Sequence, residues 1–253
     1  MIPARVERGS YMNGFFNRMK FKYQRYAIKN LAVYVSVCFA IGYLLLSSGM
    51  GGSIYGRFLA FFPREVLHGQ IWRIVTAILY PPITGGLFNA VLGILIYYSF
   101  ASTVERTMGE FEYNVYFFGS LLIGELGNIV YYLITGNNVP FLPVFTHFSV
   151  FMAFSILYAE STILLFFILP IKAKYLAIVE AALYTFYFIF GDGMTSVYGI
   201  LYTRISIIAA FIPVILFYMS VNKGNMHGGN IFSDLKYKAE QRKRQKEWRD
   251  QWK

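Results

Sequence analysis

LAVYVSVCFAIGYLLLSS, residues 31–48, is eighteen residues long and carries no formal charge. A helix needs about 20 mostly apolar residues to cross the hydrocarbon core of a bilayer, and buried helices of soluble domains rarely carry a run of this length. Arg18, Lys20, Lys22, Arg25 and Lys29 precede the run, and Gly49, Gly51 and Gly52 end it. It is too long for the apolar region of a leader peptide and has no small-residue cleavage site, so it reads as an uncleaved first span. Its single cysteine, Cys38, is the only one in the chain, which rules out an intrachain disulfide and leaves a small apolar side chain.

The rest of the chain repeats the pattern. Hydrophobic residues make up 57% and charged residues 14%, against roughly 45–50% and about 25% in soluble domains. The net charge of +10 suggests nucleic acid until its placement is read. Of 23 Lys and Arg, seven precede residue 31 and nine follow residue 221. Basic ends around an apolar body fit anionic lipid headgroups and exclude a nucleic-acid partner. Further spans are expected at about 87–104, 113–134, 143–158, 173–190 and 201–221, which gives an all-α bundle of six transmembrane helices. The mixed segment 53–80 is too polar to span and reads as a membrane-interface element with Trp72 at headgroup depth. Residues 161–170 (STILLFFILP) are apolar but too short to cross, and are expected as a re-entrant or interfacial stretch. Three regions result: a basic segment over 1–30, a membrane domain over 31–221 and a basic, helical, surface-bound tail over 222–253. With the amino terminus in the cytoplasm, cytoplasmic segments hold nineteen Lys and Arg and the opposite side four, the bias that sets orientation. Both termini are therefore expected inside.

One ordered set of residues is more specific. GQIWRIVT at 69–76 contains Trp72 and Arg73; Asn89 follows on the second span, then VERTMG at 104–109 with Glu105, Arg106 and Gly109. This set resembles the rhomboid superfamily, in which a Trp-Arg pair sits in a membrane-embedded first loop and an Asn and a Glu-Arg with a nearby Gly follow. Residues 163–177 (ILLFFILPIKAKYLA) resemble the joint between the fourth and fifth helices of clostridial-type relatives, and a more distant likeness runs to derlins. The resemblance covers roughly residues 20–221. It implies a six-helix bundle with an embedded first loop, in a bacterial plasma membrane. In these residues alone, Trp72 offers an interfacial ring with an N–H that needs a partner. Arg73 has donors for backbone carbonyls. Glu105 and Arg106 open a short turn where charge meets water cheaply.

Active rhomboids are intramembrane serine proteases, with a serine in a Gly-x-Ser-Gly context on helix four and a histidine base on helix six. A serine hydroxyl without an adjacent base is a weak nucleophile. Here helix four reads VFTHFSVFMAF, which puts Phe148 at the nucleophile position with Thr146 and Ser149 where the glycines belong; sliding by one places Ser149 there, with His147 and Val150 in place of both glycines. Helix six has Arg204 and Ser206 near the expected place and no histidine, and Gly85 stands where an oxyanion-supporting histidine is often found. His147 is two residues from Ser149, and such neighbours do not face each other on a helix. The resemblance therefore implies a member without peptidase activity that binds transmembrane segments of client proteins or thins the bilayer locally. A divergent serine protease using Ser149 or another serine is the alternative.

Glu125 and Glu180 fall near the middle of the third and fifth spans. A charge at mid-membrane costs about 3 kcal/mol on insertion scales, so such residues face the bundle interior. They serve as polar glue, as client contacts, or as part of a small-molecule or ion pathway. No nucleotide-binding glycine motif and no His-Glu-x-x-His is present. No cofactor and no metal centre are expected.

Overall fold

The computed structural model describes residues 22–48, 54–81, 86–165, 169–191 and 198–228. Gly85, the amino-terminal basic residues to 21 and the tail from 229 lie outside the described residues, and with them the expectation of a surface-bound tail helix. Two compact units divide the chain: Tyr23–Leu216 is one, and Met1–Lys22 with Phe217–Lys253 is the other.

A 3-10 turn, Gln24–Tyr26, leads to α1 (Leu31–Ser47). After it a π-helical turn, Tyr55–Leu59, is followed by α2 (Pro63–Leu67), α3 (Trp72–Thr76) and a 3-10 turn at Ala77–Leu79. The segment expected at the interface is thus several short turns folded on one another. The long helices are α4 (Leu87–Met108), α5 (Glu110–Thr135), α7 (Ala173–Phe190) and α8 (Ile200–Gly228). With the Gln24–Ser47 segment, α4, α5, α7 and Ile200–Val221 of α8 make five helices long and apolar enough to cross a membrane. This is an α-helical integral membrane protein.

The fourth expected span is α6 (Val144–Leu157), with 14 residues. At 1.5 Å per residue it reaches about 21 Å, short of the roughly 30 Å of a hydrocarbon core. Its apolar residues surround the whole helix, the pattern of a central, buried helix. It packs on α4, α5 and α7, and Phe148, Val150 and Ala153 are buried. The segment Gly136–Pro143 leads into α6 without forming a helix. Several of its backbone groups are met by neighbouring elements, as buried backbone requires. The Val139 carbonyl accepts from Asn128 Nδ2 at 3.1 Å. Tyr202 Oη donates to the Pro140 carbonyl and accepts from the Leu142 N–H, both at 3.1 Å. The Phe141 N–H reaches the Phe61 carbonyl at 2.8 Å.

Close approaches depend on glycine. A Cβ on Gly42 would overlap the backbone carbonyl of Leu79, which brings α1 against the Ala77–Leu79 turn. A Cβ on Gly124 would come within 2.7 Å of the Phe141 ring.

Between α6 and α7, the short apolar stretch expected as re-entrant or interfacial is extended. Thr162–Leu165 (β1) and Leu169–Lys172 (β2) form an antiparallel hairpin, with Ile163 opposite Ile171. The β-branched residues and the proline that ends the run disfavour a helix there. Glu160 clamps its base through Lys172 at 2.8 Å and Lys174 at 2.5 Å. Those two ammonium groups hold the Glu160 carboxyl down at about 2.

Candidate functional site

The Trp72–Arg73 region is built on a carbonyl problem. Where the π-helical turn Tyr55–Leu59 ends, its last carbonyls have no partner in the turn, as at any helix end. Helix α3 answers them one by one. Arg73 is 2% exposed; its guanidinium donates to the Arg57 carbonyl and, at 2.5 Å, to the Ala60 carbonyl. Trp72 Nε1 donates to the Phe58 carbonyl at 3.0 Å. Thr76 Oγ1 donates to the Leu59 carbonyl at 2.7 Å. The Phe61 carbonyl takes the Phe141 N–H. Five consecutive carbonyls, 57 to 61, are thus satisfied from elsewhere, and Gln70 Oε1 fixes Arg73 Nε at 2.7 Å. The sequence identified Trp72 and Arg73 but not Thr76, whose threonine at the end of GQIWRIVT gives no signal of its own.

The second cluster sits at the joint between α4 and α5. Glu105 is buried, contrary to the expectation of a solvated turn. Its Oε1 accepts from the Leu31 N–H at 2.7 Å and its Oε2 from the Ala32 N–H at 3.0 Å. Asn30, in the N-cap position of α1, offers no side-chain bond, so a residue 74 positions away caps the first span. A carboxylate at a helix N-terminus also meets the positive end of the helix dipole. Asn114 extends the clamp: Oδ1 accepts from the Ile28 N–H and Nδ2 donates to the Ile28 carbonyl. Gly109 ends α4 and starts α5 at φ 102, where any side chain is strained. Arg106 and Asn89 are exposed on α4 and take no part.

The positions on α6 and α8 form a third group without a nucleophile–base pair. Ser149 is fully buried, and its Oγ donates to the Thr146 carbonyl in its own helix at 2.7 Å. Its own carbonyl accepts from Tyr116 Oη at 2.6 Å. His147 turns the other way: Nε2 lies 3.2 Å from the Tyr80 carbonyl, and the ring packs on Phe39 and Tyr97. Phe148 is buried against Tyr184, ring centroids 4.2 Å apart, and against Phe211 at 5.6 Å. Arg204 Nε donates to the Phe188 carbonyl at 2.9 Å, answering the last turn of α7, while Ser206 is half-buried on α8.

The two intramembrane acids differ. Glu180 is half-buried on α7. Glu125 is 2% exposed on α5, and its Oε1 has no hydrogen-bond partner among the described residues. Among the described residues no group of three His, Cys, Asp or Glu could hold a metal ion. No family model matches the chain, and no curated protein or solved structure matches it.

Proposed function

We propose that the protein is a rhomboid-like membrane protein without peptidase activity that holds transmembrane segments of client proteins. The observation that carries the first half is the commitment of Ser149. A buried hydroxyl donated to its own helix, beside a histidine facing another element, cannot be activated as a nucleophile. Phe148, wedged against Tyr184 and Phe211, occupies space that a scissile peptide needs. For the second half, α7 supports the reading. Only 6% of its apolar window is buried, against 28–44% in the other four spans, and it carries Glu180. A weakly packed span with an acid on it offers a client helix both apolar contact and a polar partner.

The test uses purified protein in liposomes with labelled single-span test proteins. Benzoylphenylalanine at exposed Leu183 of α7 is expected to crosslink them while they stay intact over hours. Cleavage abolished by Ser149→Ala would replace this reading with a divergent serine protease. Intact test proteins without any crosslink would remove the client-holding half.

The same reading places six crossings in a bacterial plasma membrane with both termini in the cytoplasm, since nineteen of 23 basic residues then lie inside. Single-cysteine labelling at residues 25 and 138 in intact cells is expected to modify only 138. Labelling of 25 from outside would invert the assignment.

A further inference from the structure

Within α5, two buried oxygen atoms share one chemical need. Glu125 Oε1 and Asn128 Oδ1 both lack a hydrogen-bond partner among the described residues, and their residues are 2% and 3% exposed. Residues three apart are neighbours on a helix face, with Cβ atoms about 5–6 Å apart. The Asn128 amide is held in place: Nδ2 donates to the Val139 carbonyl, which leaves Oδ1 as the free end. Both orphans are acceptors. Buried polar atoms in native proteins nearly always have partners, so an unmatched pair calls for a bound species. What is missing is a hydrogen-bond donor or a cation, and an anion supplies neither; a species that both oxygens can share beside a carboxylate is favoured by positive charge.

Among the described residues, the charged and donor side chains on elements near α5 are engaged elsewhere. Glu65, on α2 packed against α5, is taken by Asn138 at 2.9 Å. Glu105 caps α1, and His147 on α6 faces Tyr80. Tyr131 Oη donates to the Tyr198 carbonyl, Tyr202 Oη to that of Pro140, and Arg204 binds the end of α7. Tyr116 is spent on Ser149.

We infer that Glu125 and Asn128 form an intramembrane binding site for a monovalent cation, either an alkali ion or a proton. One carboxylate and amide or carbonyl oxygens suit a hard cation of single charge, whereas divalent ions prefer several carboxylates or waters. The site lies on α5 beside the Gly136–Pro143 segment, whose Val139 carbonyl orients it. It stands independently of client holding and of the absence of proteolysis.

The full chain, purified in detergent, is melted in choline chloride at fixed ionic strength while Na⁺ or K⁺ replaces choline, at two pH values. A ligand bound only by the folded state, at a hundredfold excess over its dissociation constant, raises the melting temperature by about 5–10 °C. A rise with Na⁺ or K⁺ assigns the site to an alkali ion. A rise on acidification alone, indifferent to salt, assigns it to the proton. Glu125→Gln keeps the shape and supplies its own N–H to Asn128, so it is expected to melt at the saturated temperature of the parent and to respond to neither. Asn128→Leu is expected to lose the response as well. Melting of the parent that ignores both salt and pH would overturn the site, as would a response that survives in Glu125→Gln.

Discussion

Arg73→Ala is expected to reduce folded protein in the membrane more than any other single side-chain truncation on this chain. The guanidinium is buried and satisfies the carbonyls of Arg57 and Ala60. Removing a donor leaves each buried acceptor with a desolvation penalty of about 1–3 kcal/mol. Two such carbonyls put the loss on the order of 4 kcal/mol, a large part of an ordinary stability margin of about 5–15 kcal/mol. Arg73→Lys should recover less than half of this, since one ammonium cannot span two acceptors with a planar fork. Thermal melting in detergent and protease resistance of the 55–76 region check both variants. An Arg73→Ala protein that accumulates and melts like the parent would mean that the carbonyls find other donors.

Gly42→Val is the second large effect. A Cβ at position 42 would overlap the Leu79 carbonyl, a backbone atom with no rotamer to escape into. Overpacking costs about 1–3 kcal/mol when side chains can shift, and here α1 must move away from the Ala77–Leu79 turn, so the expected loss exceeds that range. Gly119→Ala is the matched control. Its added methyl meets nothing within 4 Å, and alanine is favoured over glycine in a helix by about 1 kcal/mol. The control should melt at or above the parent temperature and Gly42→Val well below it. Equal melting of the two would discount the close approach.

The long apolar runs were legible because a bilayer leaves few options: 18 or more uncharged residues must be helical and must span. Trp72, Arg73 and Glu105 were legible as an ordered set, yet the physical task of Glu105 was not. A carboxylate next to Arg106 reads as solvated, and nothing local says that the chain returns Leu31 and Ala32 to it from 74 positions away. The hairpin at 162–172 was legible as apolar and too short to cross, but its pairing was not, since the run lacks the alternation that marks a strand with one wet face. Asn128 carries a signal of its own: a second polar residue one turn from Glu125 inside an apolar span. Gly85, weighed as an oxyanion position, lies outside the described residues.

The capping of the first span by Glu105 has a consequence in time. A chain grows at about 5–20 residues per second, so 74 residues separate the making of Leu31 from that of its cap by roughly 4–15 s. During that interval two of the leading N–H groups of α1 have no cap from Glu105, and Ile28 likewise awaits Asn114. The first helix inserted is thus among the last to be locked. An arrested nascent chain ending before residue 105 should expose the Leu31 and Ala32 amides to exchange, and one long enough to deliver Glu105 into the bilayer should protect them.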